Sequence, residues 1–304
     1  MTRAVVAVPL LLAACVAASE PVPVQTPSAP SAALTPAPTP ADIRLEGKIE
    51  QGGIVAGSVP AGFALRLGGE AVPVAADGRF IIGFDRDAPA TLLLEARAPD
   101  GRAVARTLTV AARDWRIERV NVPRRPGVTN AEFERLRAPE IARINTARAV
   151  ASLSEGWRQR FAWPARGRIS GLFGSQRIYR GGEAGAYHSG VDVAGGAGAP
   201  VTSPADGVVV LAAADRPFTL EGHLLIIDHG MGLNSAFLHL SRIAVREGDR
   251  VRKGQLVGAI GSTGRATGPH LHWAMKWKGA RVDPIALAGP MPGQDISRVP
   301  VVEN

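Results

Sequence analysis

The chain has 304 residues, of which 46% are hydrophobic and 20% charged, and this is the composition of a globular protein with one or two domains. Its formal net charge is +8, and its single cysteine excludes a disulfide bond within one chain. No internal segment approaches the ~20 apolar residues that a transmembrane helix needs.

The first residues have the features of an export signal. Arg3 supplies one positive charge, and an apolar run follows it directly. The segment Leu12–Cys15 resembles the lipobox of bacterial lipoproteins, in which the cysteine is lipidated and becomes the new N-terminus. We therefore expect a lipoprotein-type signal peptide over residues 1–14, lipidation of Cys15 and a membrane-anchored, periplasmic location in the cell envelope. Ordinary cleavage near Ala18, which would give a secreted protein, is the alternative.

Residues 15–42 form a proline-rich segment with few large apolar side chains. Such a composition cannot bury a core, and a proline-rich chain is extended at about 3.1 Å per residue. The segment is therefore predicted to be a tether.

Residues 43–122 contain short alternating apolar runs, which predict a small β-sandwich. Asp77-Gly78 and Asp100-Gly101 lie in two of the gaps and are typical of tight hairpin turns. Because this region has no histidine or cysteine, a spacer or binding module is favoured over a catalytic role.

Residues 123–157 are predicted to be a helical connector. Thr129 and Glu132 match a capping box, and Pro139 is expected to break or restart the helix. After the proline, apolar residues recur at helical spacing: Ile141, Ile144, Ala147 and Ala151. We expect this stripe to pack on a flanking domain.

The C-terminal part of the chain carries both the histidines and the excess charge. All six histidines lie between His188 and His272. Residues 158–289 contain 16 Lys and Arg against 9 Asp and Glu, a net charge of +7. A basic domain favours anionic partners. The export signal makes a cell-wall polymer or anionic lipid a better candidate than nucleic acid.

Two short motifs contain side chains that can bind a metal ion. His188 and Asp192 are four residues apart, and His270 and His272 form an HxH pair whose side chains share one face of a strand. Catalytic zinc sites use three protein ligands of this kind and leave a fourth position open. Taken alone, the first pair also fits a surface hydrogen bond, and the second fits a chance arrangement on a surface strand.

The surroundings of these motifs resemble the lysostaphin-type, LytM-like zinc metalloendopeptidases that cut peptidoglycan peptides. The resemblance covers about 130 continuous residues, from "FAWPARGRISGLFG" through "HSGVDVAGG", "SAFLHLS" and "TGPHLHW" to "VDPIAL". It implies a mainly β protein with a compact antiparallel-sheet peptidase domain over residues 158–289, followed by a tail over 290–304.

The resemblance also implies roles for individual residues. His188, Asp192 and His272 match the Zn²⁺ ligands, and His239 and His270 match the pair that assists catalysis. The sequence does not decide which of these two histidines is the general base. The substrate implied is a peptide bond in peptidoglycan stems or cross-links.

His223 and His229 fall outside this set, and we expect structural or incidental roles for them. One departure from the family pattern is Phe237, where many relatives have tyrosine and hence a hydroxyl group. A core aromatic residue whose hydroxyl is not needed is the slightly favoured interpretation.

Two other function classes fit parts of the sequence. The first is a non-catalytic LytM-type module that binds the wall and activates an amidase, with an envelope regulatory protein as a possible partner. The second is a biotinyl or lipoyl carrier, suggested by "SPADGVVV" and "EGDRVRKGQLVGAIG". The carrier is set aside because residues 210–244 contain no lysine to modify.

Overall fold

A computed structural model describes Met1 and residues 42–124 and 131–301. Nearly all of the predicted signal peptide and of the tether lies outside these residues, and so do Cys15 and Thr129 of the capping box. None of the helices in the described part is long and apolar enough to cross a membrane.

The N-terminal module consists of two antiparallel sheets, as a sandwich requires. Its strands are β1 Arg44–Glu46, β2 Ile54–Ser58, β3 Ala64–Leu67, β4 Glu70–Val72, β5 Arg79–Gly83, β6 Thr91–Arg97 and β7 Ala103–Thr109. One sheet has the order β1-β2-β5 and the other β4-β3-β6-β7. The two Asp-Gly pairs lie in turns, where Gly78 and Gly101 have φ of 82° and 89°. Glycine suits both positions because other residues rarely adopt positive φ.

A strand and a helix lie between the module and the C-terminal sheets. Strand β8 Ile117–Arg119 pairs in parallel with β10 Gln176–Ile178 of the C-terminal part. Helix α1 runs from Ala131 to Arg148 and buries Ile144 and Ala147.

The expected break at Pro139 is wrong, because α1 continues through it. Proline removes one helical N–H, so the carbonyl of Arg135 loses its intrahelical donor. Pro139 and Arg135 are both exposed, and water can therefore satisfy that carbonyl. The stripe is also shorter than expected, since Ile141 is exposed and Ala151 lies beyond the helix end.

The C-terminal part contains the remaining strands and one short helix. In chain order they are β9 Arg168–Gly171, β10, β11 Val191–Ala194, β12 Pro200–Thr202, β13 Gly207–Ala212, β14 His223–Asp228, β15 Leu233–Leu240, β16 Arg242–Ile243, β17 Arg250–Val251, β18 Leu256–Ala259, β19 Leu271–Trp277, β20 Ala280–Val282 and α2 Pro284–Ala288. The large sheet has the order β17-β13-β14-β15-β19-β11-β9, with β20 also paired to β19. A smaller sheet has the order β12-β18-β16. The protein is thus mainly β, as expected.

The two faces of the large sheet have different neighbours. Phe237 and Trp273 lie opposite each other on β15 and β19 and are buried in the main core. The alternate residues, such as Ala236 and Ala274, point to the other face, where α1 packs through Ile144. Helix α1 therefore covers part of the face that also carries His272.

Candidate active site

Strand pairing brings Asp192 and His272 together. The two residues are directly opposite each other on the antiparallel strands β11 and β19. His188 lies in the loop just before β11, and its ring packs edge-on against His272, with ring centroids 4.8 Å apart. All three side chains are buried, with 1%, 7% and 2% of the area of His188, Asp192 and His272 exposed.

The ligand atoms of these three residues form a nearly equilateral triangle. His188 Nε2 is 3.1 Å from His272 Nδ1 and 3.1 Å from Asp192 Oδ1. His272 Nδ1 is 2.9 Å from the same carboxylate oxygen. Bonds of about 2.0–2.2 Å to a tetrahedral zinc ion place neighbouring ligand atoms about 3.3–3.6 Å apart. The triangle therefore fits zinc after an expansion of a few tenths of an ångström.

The tautomer of His188 supports the same fit. Its Nδ1 lies 3.1 Å from the carbonyl oxygen of Leu172, which can only accept, so Nδ1 carries the proton. In the neutral ring, Nε2 then presents a lone pair toward the Asp192 carboxylate. Two electron-pair donors at this distance require a cation between them, either a proton or a metal ion. The backbone carbonyl that orients His188 is a typical outer partner of a metal-binding histidine.

The carboxyl group of Asp192 is held in its charged form. Burial opposes ionisation, but the rings of His188 and His272 outweigh this effect and lower the pKa of Asp192 well below its usual range. A charged carboxylate is the form that binds a metal ion.

His239 and His270 lie beside the triangle. Their ring centroids are 4.9 Å apart, and His239 is 6.3 Å from His272. His270 Nε2 is 3.8 Å from Asp192 Oδ1. Each Nδ1 lies near a backbone carbonyl oxygen, at 2.9 Å for His239 with Thr263 and 2.8 Å for His270 with Gly268. In the neutral tautomer that these contacts favour, each ring has its proton on Nδ1 and Nε2 as an acceptor.

The backbone at His239 is unusual, because its φ of 62° is in the left-handed region. Such a conformation costs a non-glycine residue about 1–3 kcal/mol and persists only where the surroundings hold it. Here the backbone N–H of His239 donates to the carbonyl of Glu221 at 2.8 Å. Burial lowers the pKa of the His239 ring to about 4, so it is neutral near pH 7.

The structure does not bring His229 into this group. Its ring is fully buried, with Nδ1 2.8 Å from the carbonyl of Asp206 and Nε2 2.8 Å from Ser235 Oγ. His223 begins β14, and its Nδ1 is buried without a hydrogen-bond partner in the described part of the chain. Structural roles for both remain a prediction.

Phe237 points away from the site. It pairs with Trp273, whereas its neighbour Leu238 pairs with His272, so the phenyl ring lies on the opposite face of the sheet. Its side chain is completely buried in the core. A tyrosine hydroxyl in this position of the sheet would enter apolar surroundings, which supports the core-aromatic interpretation.

Tyr187 does not supply a free hydroxyl in place of Phe237. Its hydroxyl donates to Asp85 Oδ1 at 3.3 Å and accepts from Arg281 Nη1 at 3.1 Å. Arg86 stacks over the same ring at 4.8 Å and donates to the carbonyl of Gly174 at 3.1 Å. The N-terminal module thus braces the loop that carries His188, a role that the sequence analysis missed.

A groove of about 450 Å³ adjoins His239. Its lining combines apolar residues with charged ones: Ala186, Tyr187, Ser189, Leu220, Glu221, Leu238, His239, Arg265 and Arg281. Glu221 is held by Arg137 of α1 through two hydrogen bonds of 2.6 and 2.7 Å. The helix predicted to be only a connector therefore anchors one residue of the groove wall.

Comparisons with known proteins agree on one family. Residues 186–284 match the model of Peptidase family M23. Over 133 residues the chain is 38% identical to the peptidoglycan DD-endopeptidase ShyA of Vibrio cholerae, a match that covers 44% of this chain and 30% of ShyA. Over 131 residues it is 37% identical to the lipoprotein NlpD/LppB homolog of Pseudomonas aeruginosa, covering 43% of this chain and 39% of that protein. The chain thus spans less than half the length of either relative.

A solved structure extends the likeness beyond the matched segment. The crystal structure of a Pseudomonas aeruginosa protein described as a peptidase M23 has a TM-score of 0.63 and 28% sequence identity. The match covers 81% of this chain and 97% of that one.

Proposed function

Since residues 186–284 form a domain of peptidase family M23, the LytM/lysostaphin type, we propose that the chain is a zinc-dependent endopeptidase that hydrolyses peptide bonds in peptidoglycan stem peptides or cross-links. The observation that carries this proposal is the triangle of His188, Asp192 and His272 with two acceptor histidines next to it. A structural zinc site has four protein ligands, whereas three ligands beside a groove suit catalysis.

The residues of the site have two proposed roles, metal binding and proton transfer. His188, Asp192 and His272 would hold the metal ion, which would supply Lewis acidity and lower the pKa of a bound water molecule to about 7. His239 and His270 present Nε2 to the same space and accept the proton of the attacking water, then return it to the leaving amine. When protonated, the same rings stabilise negative charge on the carbonyl oxygen.

Digestion of purified peptidoglycan tests the proposal. The zinc-loaded protein should convert crosslinked muropeptide dimers to monomers, and chelation should stop the reaction until zinc is restored. His270→Ala provides a protein that keeps the three metal ligands and lacks one acceptor ring. Dimers left intact by the zinc-loaded protein would contradict the proposal.

A second candidate function is a non-catalytic wall-binding module that activates an amidase. The specific observation in its favour is the 37% identity to the NlpD/LppB homolog. The complete ligand triangle argues for catalysis instead. The same digestion separates the two functions, because an activator leaves dimers intact and increases the activity of an added amidase.

The proposed location is the cell envelope, with peptidoglycan as the partner and Cys15 as the lipid anchor. Two observations support it: the lipobox-like segment and the similarity to a DD-endopeptidase and a lipoprotein. The domain limits at 43–122, 123–157, 158–289 and 290–304 are part of the same proposal.

A further inference from the structure

Three cationic side chains lie together on the face of the large sheet that carries the candidate site. Lys276 of β19 is directly opposite Arg281 of β20. Arg148 is the last residue of α1. Like charges placed directly opposite each other on neighbouring strands destabilise a sheet. An anion bound between the two side chains would reduce this repulsion.

Arg148 is close enough to Arg281 and Glu221 for their charges to change its pKa. Burial lowers the pKa of its guanidinium, Arg281 lowers it further, and Glu221 raises it. The pKa of Lys276 is lowered by burial and then by Arg148 and Arg281. In addition, Nε of Arg148 is buried and has no hydrogen-bond partner among the residues that the structure describes.

The nearby carboxylates are already engaged. Glu221 accepts two hydrogen bonds from Arg137. Asp85 accepts from the Tyr187 hydroxyl and, at 2.9 Å, from the backbone N–H of Arg281. Within residues 42–124 and 131–301, none of the three cationic side chains has a carboxylate oxygen within 4.0 Å. The positive charge of the cluster is thus not neutralised by a carboxylate of the described residues.

The position of the cluster relates it to the groove. His272, Ala274 and Lys276 alternate along β19 and share one face, so His272 and Lys276 are about 13 Å apart along the strand. Arg281 lines the groove together with His239. Arg281 is the member of the cluster that lines the groove, so a peptide that extends along the groove from the metal-binding triangle meets the cluster at Arg281 after about four residues.

We propose that Arg148, Lys276 and Arg281 form a carboxylate-binding subsite, which selects peptide substrates that carry a free carboxylate about 13 Å from the bond that is cut. Guanidinium groups bind carboxylates through paired hydrogen bonds, and the lysine adds a point charge. The inference rests on the proposed function, because it assumes that a peptide substrate occupies the groove.

Binding of crosslinked muropeptide dimers to the full-length, chelator-treated protein tests the subsite without any cleavage. The dimers are used in two forms, one with free carboxylates and one in which carbodiimide and ammonia have converted them to amides. The unsubstituted protein should bind the free acid about tenfold more tightly than the amide, because hydrogen bonds to charged groups are strong. Lys276→Gln and Arg281→Gln should each reduce this ratio severalfold.

Arg242→Gln is the matched control, since Arg242 is exposed on β16 and its loss changes the net charge equally. This variant should keep the full preference for the free acid. Equal binding of the two dimers by the unsubstituted protein would overturn the subsite, as would an unchanged ratio in Lys276→Gln and Arg281→Gln.

Two further measurements distinguish a carboxylate subsite from a general anion site and from a failure of the proposed function. Inorganic phosphate and vesicles containing anionic phosphatidylglycerol are tested as competitors. If either abolishes the preference for the free acid at a concentration similar to that of the dimer, the cluster is a general anion site and the proposal fails. Cleavage by the zinc-loaded protein is measured separately. A preference for the free-acid dimer without cleavage would contradict the proposed function and support the subsite. Cleavage without such a preference would support the proposed function and contradict the subsite.

Discussion

At the scale of single residues, the two histidines of the HxH pair differ in what surrounds them. His272 Nδ1 belongs to the triangle, whereas His270 contacts it only through a 3.8 Å approach to Asp192. We expect His272→Ala to lose stoichiometric zinc, and His270→Ala to keep most of the metal and lose activity. Metal analysis of the two purified variants checks this. Equal metal loss in both, or loss in neither, would contradict the division of roles.

His229 should make folding stability depend on pH. Burial lowers the pKa of its ring to about 4 in the folded protein, against about 6.5 when unfolded. The unfolded state therefore binds more protons between these two values, and the free energy of unfolding should fall as pH drops from about 6.5 to 4, by up to about 3 kcal/mol from this residue.

Urea denaturation at pH 7 and pH 4.5 measures this dependence. His229→Asn is the comparison, because its amide can still donate to the Asp206 carbonyl and does not titrate. The variant should show a smaller difference between the two pH values than the unsubstituted protein. Identical differences would show that His229 does not contribute.

The shared strand face of His270 and His272 was predictable from their two-residue spacing. The complete set of His188, Asp192, His239, His270 and His272 followed instead from the resemblance of about 130 residues to the lysostaphin-type family. The bracing of Tyr187 was not predictable, since Asp85 is separated from it by 102 residues. The proximity of Arg148 to Lys276 was not predictable either, because it depends on the packing of α1 against β14 and its neighbours.

At the scale of elements, α1 shows why a proline need not end a helix. The helix is held by contacts on both sides of Pro139: Arg137 with Glu221, Glu140 with Thr219, and Ile144 in the core beneath. These tertiary contacts outweigh the local preference that led to the expected break. A prediction from propensity alone could not include them.

Replacing the proline should therefore stabilise the protein. Pro139→Ala restores a helical N–H in an exposed position, and we expect the free energy of unfolding to rise by about 1–2 kcal/mol after allowance for the more flexible unfolded chain. Arg135→Ala, also exposed on α1, is the control and should change stability by less than about 0.5 kcal/mol. Chemical denaturation measures both. A less stable Pro139→Ala would show that the proline contributes to the stability of the folded protein.

At the scale of the whole molecule, Arg86 connects the N-terminal module to the C-terminal part of the chain. Its Nε donates to the carbonyl of Gly174, Nη2 donates to Gln176, and the guanidinium stacks on Trp115 and Tyr187. Arg86→Met should destabilise the protein by about 1–3 kcal/mol, because buried acceptors lose their donor. Chemical denaturation should also show whether the two parts begin to unfold separately.

The exposed Arg66→Met on β3 is the control for this change and should leave stability nearly unaffected. An unfolding curve of Arg86→Met that coincides with the curve of the unsubstituted protein would show that other contacts hold the module to the C-terminal part of the chain.

The proposed lipidation of Cys15 also concerns the whole molecule. Stable anchoring takes more than one acyl chain, which lipoprotein maturation provides. In the protein's own host, Cys15→Ser should move it from the membrane fraction to the soluble fraction. A soluble unsubstituted protein whose N-terminus lies near Ser19 would instead support ordinary signal cleavage.

The parallel pairing of β8 with β10 helps to hold the N-terminal module against the C-terminal part of the chain. Together with Arg86 and the 3.1 Å pair of Arg113 and Asp283, it forms an interface between parts of one chain. Covalent linkage makes closing of that interface an intramolecular reaction, with an effective concentration in the millimolar range. An interface too weak to join two separate proteins can therefore keep the hydrogen bond between Asp85 and Tyr187 formed most of the time. A substitution that weakens this interface modestly would lower the fraction of time for which that bond is formed.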